Sequence, residues 1–188
     1  MKKRVFLIHG WDGSPDKAWR PWLKKELEVN GFEVQALALP NPRTPELKTW
    51  LEYINNVVGQ IDVQCYFVCH SLGNITILRY LESLAVEEKI GGVVMVAGFC
   101  SNLGYKELAS FFPNQGWLDW DKIKSHCDKF VAIHSDNDPF VSTHYGEEFF
   151  QKYLGAKYIL EHDKRHFGDN DNITELPSAL EAILEMTK

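Results

Sequence analysis

The chain has 188 residues, of which 45% are hydrophobic and 24% charged, and its formal net charge is −6. This length predicts a single domain, residues 1–188, that buries enough surface to need no disulfides. The acidic balance and the lack of a basic run argue against a nucleic acid or an anionic membrane as partner.

The N-terminal region contains only a short apolar stretch, residues 5–8. A signal peptide needs about 7–15 apolar residues and a membrane span about 20, and neither pattern is present. We therefore expect a cytoplasmic protein that does not enter a membrane. Cys65 and Cys69 lie too far apart along one strand to bridge, so free thiols are expected, as in a reducing compartment.

Short apolar segments alternate with segments of helical periodicity along the chain. The predicted strands are residues 4–8, 32–39, 65–69, 92–96, 130–134 and 158–160. The predicted helices are residues 19–30, 44–58, 72–85, 145–153 and 176–186, with Thr44 as the N-cap of the second. This alternation predicts an α/β fold, a three-layer α/β/α sandwich around a mostly parallel sheet of about six strands.

Residues 98–127 form an irregular, aromatic-rich segment that is too short for a large cap domain. Ligands of parallel sheets bind beyond the carboxyl ends of the strands, where this segment begins. Candidate pocket walls from this segment and from the loop after the fifth strand are Phe99, Phe111, Phe112, Trp117 and Phe140.

The segment from Cys65 to Gly73 predicts a nucleophile. It reads as an apolar strand, then Ser71, then a helix, and this is the context in which G-x-S-x-G is informative. Gly73 is small, as the turn requires, and Cys69 stands where the first glycine is usual. The alternative is that Ser71 is an ordinary N-cap of the helix that begins at Leu72.

Acyl transfer to a serine needs two backbone donors for the developing oxyanion. The first is the N–H of Leu72, at the start of a helix. His9 and Gly10 follow the first strand and predict the second donor, the N–H of Gly10 or of Trp11. The alternative for this dipeptide is a tight turn into the next helix.

An acid and a base follow later strands. Asp136 and Asp138 come after the fifth strand, and His166 comes after the sixth, which gives the chain order Ser, Asp, His of α/β-hydrolases. Asp138 is favoured because Val141 follows it by three residues, but Asp136 stays open. The alternatives are a turn rich in Asp and Asn and a solvated loop histidine.

A metal site is not expected. His162 and His166 are four residues apart, but no Glu follows His162 as in the zinc motif H-E-x-x-H. The run 169–172 lacks the Gly and the later Glu of a calcium loop. The candidate chemistry needs no cofactor.

The whole chain resembles the small single-domain hydrolases grouped around retinoblastoma-binding protein nine and the bacterial YdeN proteins, a branch of the α/β-hydrolase superfamily. Residues 8–10, 70–73, 117–124, 135–141 and 166–167 carry the resemblance. It implies a triad of Ser71, Asp138 and His166 on a minimal α/β-hydrolase fold without a large cap.

Two functions remain open. The first is hydrolysis of small carboxylic esters, thioesters or amides through an acyl-enzyme on Ser71, with a small acyl compound as the partner. The second is a hydrolase-fold protein that mainly binds a protein partner and keeps a vestigial triad, because some relatives are discussed for protein binding.

Overall fold

The computed structural model describes residues 2–113 and 117–188. Six strands form one sheet in the order β2-β1-β3-β4-β5-β6, and each neighbouring pair is parallel. The strands are β1 (Arg4–Ile8), β2 (Glu33–Leu37), β3 (Cys65–His70), β4 (Gly92–Val96), β5 (Phe130–Ser135) and β6 (Lys157–Glu161). The predicted α/β fold with six strands is confirmed, and its sheet is parallel throughout.

Helices cover both faces of the sheet. The α-helices are α1 (Arg20–Val29), α2 (Leu47–Val58), α3 (Leu72–Ser83), α4 (Trp120–His126) and α5 (Pro177–Met186). A 3₁₀ helix spans Lys106–Phe111, and a helix with π-type hydrogen bonds spans Tyr145–Leu154. Among the described residues, every helix is too short or too polar to cross a bilayer.

Two hydrophobic clusters, one on each face of the sheet, give the three-layer order. Leu23 of α1 and Ile183 of α5 belong to one cluster, and Trp50 of α2 and Ile75 of α3 belong to the other. Along each central strand the apolar side chains alternate between the two clusters because successive residues point to opposite faces. Strands buried on both faces explain the continuous apolar runs in the sequence.

The largest differences from the predicted α-helices are one helix start and one additional helix. The second helix begins at Leu47 rather than at Thr44, because the Thr44 N–H donates to Asn41 O and belongs to the preceding turn. Helix α4 was not predicted. It is short, and its N-cap Asp119 accepts a hydrogen bond from the Lys122 N–H, a signal that the sequence contained.

Candidate active site

Ser71 lies at the sharp turn between β3 and α3. Its backbone has φ 52° and ψ −121°, a conformation that residues with a Cβ rarely adopt and that costs on the order of 1–3 kcal/mol. Its side chain makes no capping hydrogen bond to α3, so the N-cap alternative does not hold. The turn instead presents the hydroxyl at the carboxyl end of the sheet.

Close packing explains the small residues around the turn. A Cβ atom on Gly73 would lie 2.8 Å from His9 O and 2.9 Å from Ile8 O, so a larger residue would push α3 away from β1. Cys69 is fully buried and pairs in register with Ile8 on β1 and Met95 on β4. A cysteine is therefore accommodated where a glycine is usual.

Asn74 supports the strained turn and was missed by the sequence analysis. It is fully buried, and its side-chain amide donates to Ser71 O and to Val96 O, both at 2.9 Å. The Ser71 N–H also donates to Val96 O, at 2.9 Å. Val96 of β4 therefore binds both Ser71 and Asn74. In the sequence, the signal for Asn74 was a polar residue inside an otherwise apolar helix.

The structure brings Ser71, His166 and Asp138 together. The distance from His166 Nε2 to Ser71 Oγ is 2.9 Å, and that from His166 Nδ1 to Asp138 Oδ2 is 2.8 Å. A carboxylate can only accept, so Nδ1 carries the proton and Nε2 is free to accept the serine hydroxyl. This is the order of nucleophile, base and orienting acid that nucleophilic catalysis requires.

The two candidate acids have different environments. The Asp138 carboxylate is 1% exposed, and its Oδ1 accepts the N–H groups of Phe140 at 2.8 Å and Val141 at 3.0 Å. The Asp136 carboxylate is 41% exposed and contacts His162 Nδ1 at 2.6 Å, a hydrogen bond that lowers the pKa of Asp136 and raises that of His162. Asp138 therefore orients His166, and Asp136 binds the surface loop.

The loop after β1 packs directly against the nucleophile. Buried His9 donates from Nδ1 to Gly10 O at 2.8 Å and accepts the Leu39 N–H on Nε2 at 3.1 Å. Burial lowers the pKa of His9, which favours this neutral form. Within residues 2–113 and 117–188, the N–H groups of Gly10, Trp11 and Leu72 find no acceptor, so these predicted oxyanion donors are unengaged.

A cavity of about 540 Å³ opens over Ser71 and His166. Phe99 and Phe140 line it, as expected, and Phe140 meets the His166 ring edge to face at 5.3 Å. Further apolar walls come from Trp11, Leu72, Leu103, Tyr105, Leu108 and Val141. At the rim, Arg43 Nε lies 3.2 Å from Asp12 Oδ1.

Three of the expected pocket walls lie elsewhere. Phe111 is fully buried and packs edge to face on Trp50 of α2, because the 3₁₀ helix turns it inward. Phe112 packs against the hydrophobic core and meets Phe99 from outside the cavity. Trp117 is 77% exposed and does not contact the cavity. The prediction of Phe111, Phe112 and Trp117 as pocket walls is therefore corrected.

Two further buried histidines support the loops of the site and were missed by the sequence analysis. His70, the last residue of β3, donates from Nε2 to His166 O at 2.7 Å. His134 of β5 donates to Gly98 O at 2.9 Å, next to the pocket wall Phe99. Burial lowers the pKa of both imidazoles, and for His70 the shift is large. In the sequence, each of them stands within an apolar strand, and this placement was the available signal for a buried histidine.

Comparison with known proteins gives matches along nearly the whole chain. Residues 5–185 match the model of the family described as serine hydrolase. YdeN of Bacillus subtilis is 33% identical over 183 residues, which cover 97% of this chain and 95% of YdeN. The serine hydrolase RBBP9 of Rattus norvegicus is 29% identical over 178 residues, 94% of this chain and 87% of RBBP9. The crystal structure of YdeN has a TM-score of 0.92 at 31% identity, over 99% of both chains.

Proposed function

The chain belongs to the serine hydrolase family, and from that premise we propose that it hydrolyses small carboxylic esters through an acyl-enzyme on Ser71. One observation carries the proposal. The hydrogen bonds from Ser71 to His166 and from His166 to Asp138, at 2.9 and 2.8 Å, join a nucleophile, a base and an acid under an open apolar cavity.

In the first half-reaction, Ser71 Oγ attacks the substrate carbonyl carbon while its proton passes to His166 Nε2. The carbonyl electron pair moves onto the oxygen, where the N–H of Leu72 and that of Gly10 or Trp11 stabilise the negative charge. The Asp138 carboxylate stabilises the imidazolium. When the tetrahedral intermediate collapses, His166 gives the proton to the departing alcohol, and the acyl group remains on Ser71.

In the second half-reaction, water replaces the alcohol. His166 Nε2 accepts a proton from the water as its oxygen attacks the acyl carbon. Collapse of the second tetrahedral intermediate breaks the bond to Ser71 Oγ, which takes the proton back from His166. The products are the free acid and the starting enzyme, and no step needs a metal or a cofactor.

The cavity supports small acyl compounds as substrates. A volume of about 540 Å³ with mostly apolar walls is typical of small-molecule sites. In the hydrolysis of an ester, the leaving group is an alkoxide that needs one proton. His166 supplies that proton. Thioesters and amides present the same carbonyl and form the comparison set for the substrate class.

The test compares ester, thioester and amide substrates of one acyl group with the wild type, Ser71→Ala and Ser83→Ala. Ser83 is the matched control, because among the described residues its hydroxyl bonds only to Tyr80 O in the same helix. We expect ester hydrolysis by the wild type and Ser83→Ala, and none by Ser71→Ala. Equal hydrolysis by Ser71→Ala would refute the proposal, and a folded, inactive wild type would favour the protein-binding alternative.

We also propose a cytoplasmic location, with no nucleic acid or membrane as partner. The four cysteines are free thiols, and Cys65, Cys69 and Cys127 are buried, which supports a reducing compartment. The net charge of −6 supports the absence of a polyanionic partner.

A further inference from the structure

Side chains at the end of β5 and in the loop that follows it bind the loop after β6 residue by residue, mostly at its backbone N–H groups. Each residue of 135–138 contacts a residue of 163–166, so two short segments from neighbouring strands form one continuous hydrogen-bonded interface. Only the last contact, Asp138 with His166, belongs to the proposed triad. The others have no part in the chemistry described above.

Asn137 is the centre of this interface. Its side-chain oxygen accepts the Arg165 N–H at 2.7 Å and the Ser135 hydroxyl at 2.9 Å. Ser135 is buried and its oxygen in turn accepts the Lys164 N–H at 3.0 Å. One amide oxygen therefore connects the end of β5 to the residue immediately before His166.

The neighbouring position is bound in the same way. The Asp163 N–H donates to Asp136 Oδ1 at 3.1 Å, and the Asn137 side-chain NH₂ donates to Asp163 Oδ1 at 3.3 Å. Asn137 therefore acts as both donor and acceptor, which fixes the orientation of its amide.

The loop after β6 needs outside partners because of its backbone conformation. Asp163, Arg165 and Phe167 have φ of 57°, 49° and 55°, a region that residues other than glycine rarely adopt. Within this loop the Phe167 N–H donates to Lys164 O at 3.0 Å, but among the described residues no turn contact of this kind satisfies the N–H groups of Asp163, Lys164 and Arg165. Side chains from 135–137 satisfy them instead, and this holds the strained loop in place.

The opposite side of the loop is bound separately. His70 donates to His166 O at 2.7 Å, and Trp19 Nε1 donates to Phe167 O at 3.1 Å. These contacts hold the loop after His166, whereas Asn137 holds it before His166. The backbone is thus held on both sides of His166.

We propose that Asn137 is a positioning residue for the hydrolysis, acting through the Arg165 N–H to set the distance between His166 and Ser71. This inference rests on the proposed function. Without the amide oxygen, Arg165 can relax from its positive φ and carry His166 away from Ser71 Oγ. A misplacement of about 1 Å can cost on the order of 100-fold in rate.

The variants are Asn137→Ala, Asn137→Gln, and the pair Asn137→Asp with Asp163→Asn. Alanine removes the acceptor, and glutamine displaces it by one methylene while keeping a polar side chain. The pair keeps an acceptor for Arg165 and exchanges the roles of acid and amide at the contact with Asp163. Asn30→Ala is the matched control, because the side chain of this exposed asparagine bonds, within residues 2–113 and 117–188, only to a helix carbonyl, Glu26 O.

The readouts are kcat and KM for an ester, the rate of labelling by a fluorophosphonate, the thermal midpoint, and the NMR resonance of the His166 Nδ1 proton. We expect Asn137→Ala and Asn137→Gln to lower kcat and the labelling rate roughly 10- to 100-fold, with KM within about threefold. The Nδ1 resonance shifts or disappears in both. The paired variant and Asn30→Ala keep wild-type behaviour.

A merely structural role would lower the thermal midpoint of Asn137→Ala and leave kcat and the Nδ1 resonance unchanged, and that result would overturn the inference. So would equal losses in Asn137→Ala and the paired variant. The NMR readout does not depend on hydrolysis. A wild type that hydrolyses no ester and resists the phosphonate would contradict the proposed function, while the Nδ1 resonance would still decide the role of Asn137.

Discussion

Gly10 lies so close to Ser71 that a Cβ atom at position 10 would come within 2.8 Å of the serine Cβ and 3.3 Å of its Oγ. The third close atom, His70 O at 3.1 Å, belongs to the backbone and cannot move aside as the end of a flexible side chain can. The loop after β1 and the turn at Ser71 therefore pack against each other closely enough to require glycine at position 10.

Gly10→Ala is expected to lower the labelling rate of Ser71 by more than about tenfold, because the added methyl displaces the serine or the oxyanion loop. Unfolding in urea should show a loss of roughly 1–3 kcal/mol, as is usual for overpacking. A variant with the wild-type labelling rate would show that this contact is easily relaxed and unimportant for the site.

Asp138→Asn is expected to lower kcat by a factor on the order of 10⁴ with near-normal folding, because an amide favours the wrong tautomer of the base, as in a well-studied protease. Steady-state kinetics on one ester measures the effect. Asp136→Asn is the matched control and should stay within about tenfold, because Asp136 faces solvent and binds the surface loop. The reverse ranking would assign the acid to Asp136.

Both acids were visible in the sequence, and the three-residue spacing from Asp138 to Val141 favoured Asp138 without excluding Asp136. The choice depends on the turn after Asp138, whose Oδ1 accepts the N–H groups of Phe140 and Val141 and so directs Oδ2 toward His166. Ser71 was easier to identify, because an apolar strand, a serine and a helix in succession already specify the turn.

The pocket walls were hard to predict for a different reason. Phe99 and Phe111 are equally apolar in the sequence and both are buried, but only Phe99 lines the cavity, because the packing of the 3₁₀ helix on α2 turns Phe111 toward Trp50. Strand positions are set by local patterns, whereas pocket walls are set by how irregular segments pack on the finished sheet.

The free energy of unfolding is expected to decrease as the pH is lowered, because of the buried histidines. His70 has a folded-state pKa well below its ordinary value of about 6.5, mainly because of burial. Below about pH 6.5 the unfolded chain binds a proton that the folded chain refuses, so stability is lost as the pH falls from there toward the folded pKa.

Urea unfolding at pH 7.5, 6.5 and 5.5 measures this dependence. His70→Gln, which keeps a side-chain N–H donor but cannot titrate, should show a shallower loss between pH 6.5 and 5.5 than the wild type. The contact with Asp136 raises the pKa of His162, so protonation of His162 stabilises the folded state as the pH falls. This contribution is the same in the wild type and in His70→Gln, because both contain His162. Equal slopes would show that His70 does not contribute.

Short acyl chains are expected to react faster than long ones. The cavity of about 540 Å³ has to hold both the acyl group and the leaving group, and a short acyl chain fits there beside the leaving group more readily than a long one. A series of p-nitrophenyl esters should show kcat/KM falling toward long chains. A preference for chains of about twelve carbons or more would contradict the assignment of this cavity as the acyl site.

The central claim is that Ser71 is the nucleophile, and covalent labelling by a fluorophosphonate tests it most directly. We expect one adduct per wild-type chain by intact mass, mapped by peptide sequencing to Ser71, with the same labelling of Ser83→Ala and none of Ser71→Ala. The phosphonate should bond to Ser71 Oγ, 2.9 Å from His166 Nε2. An adduct on another residue, or labelling that survives in Ser71→Ala, would contradict the account.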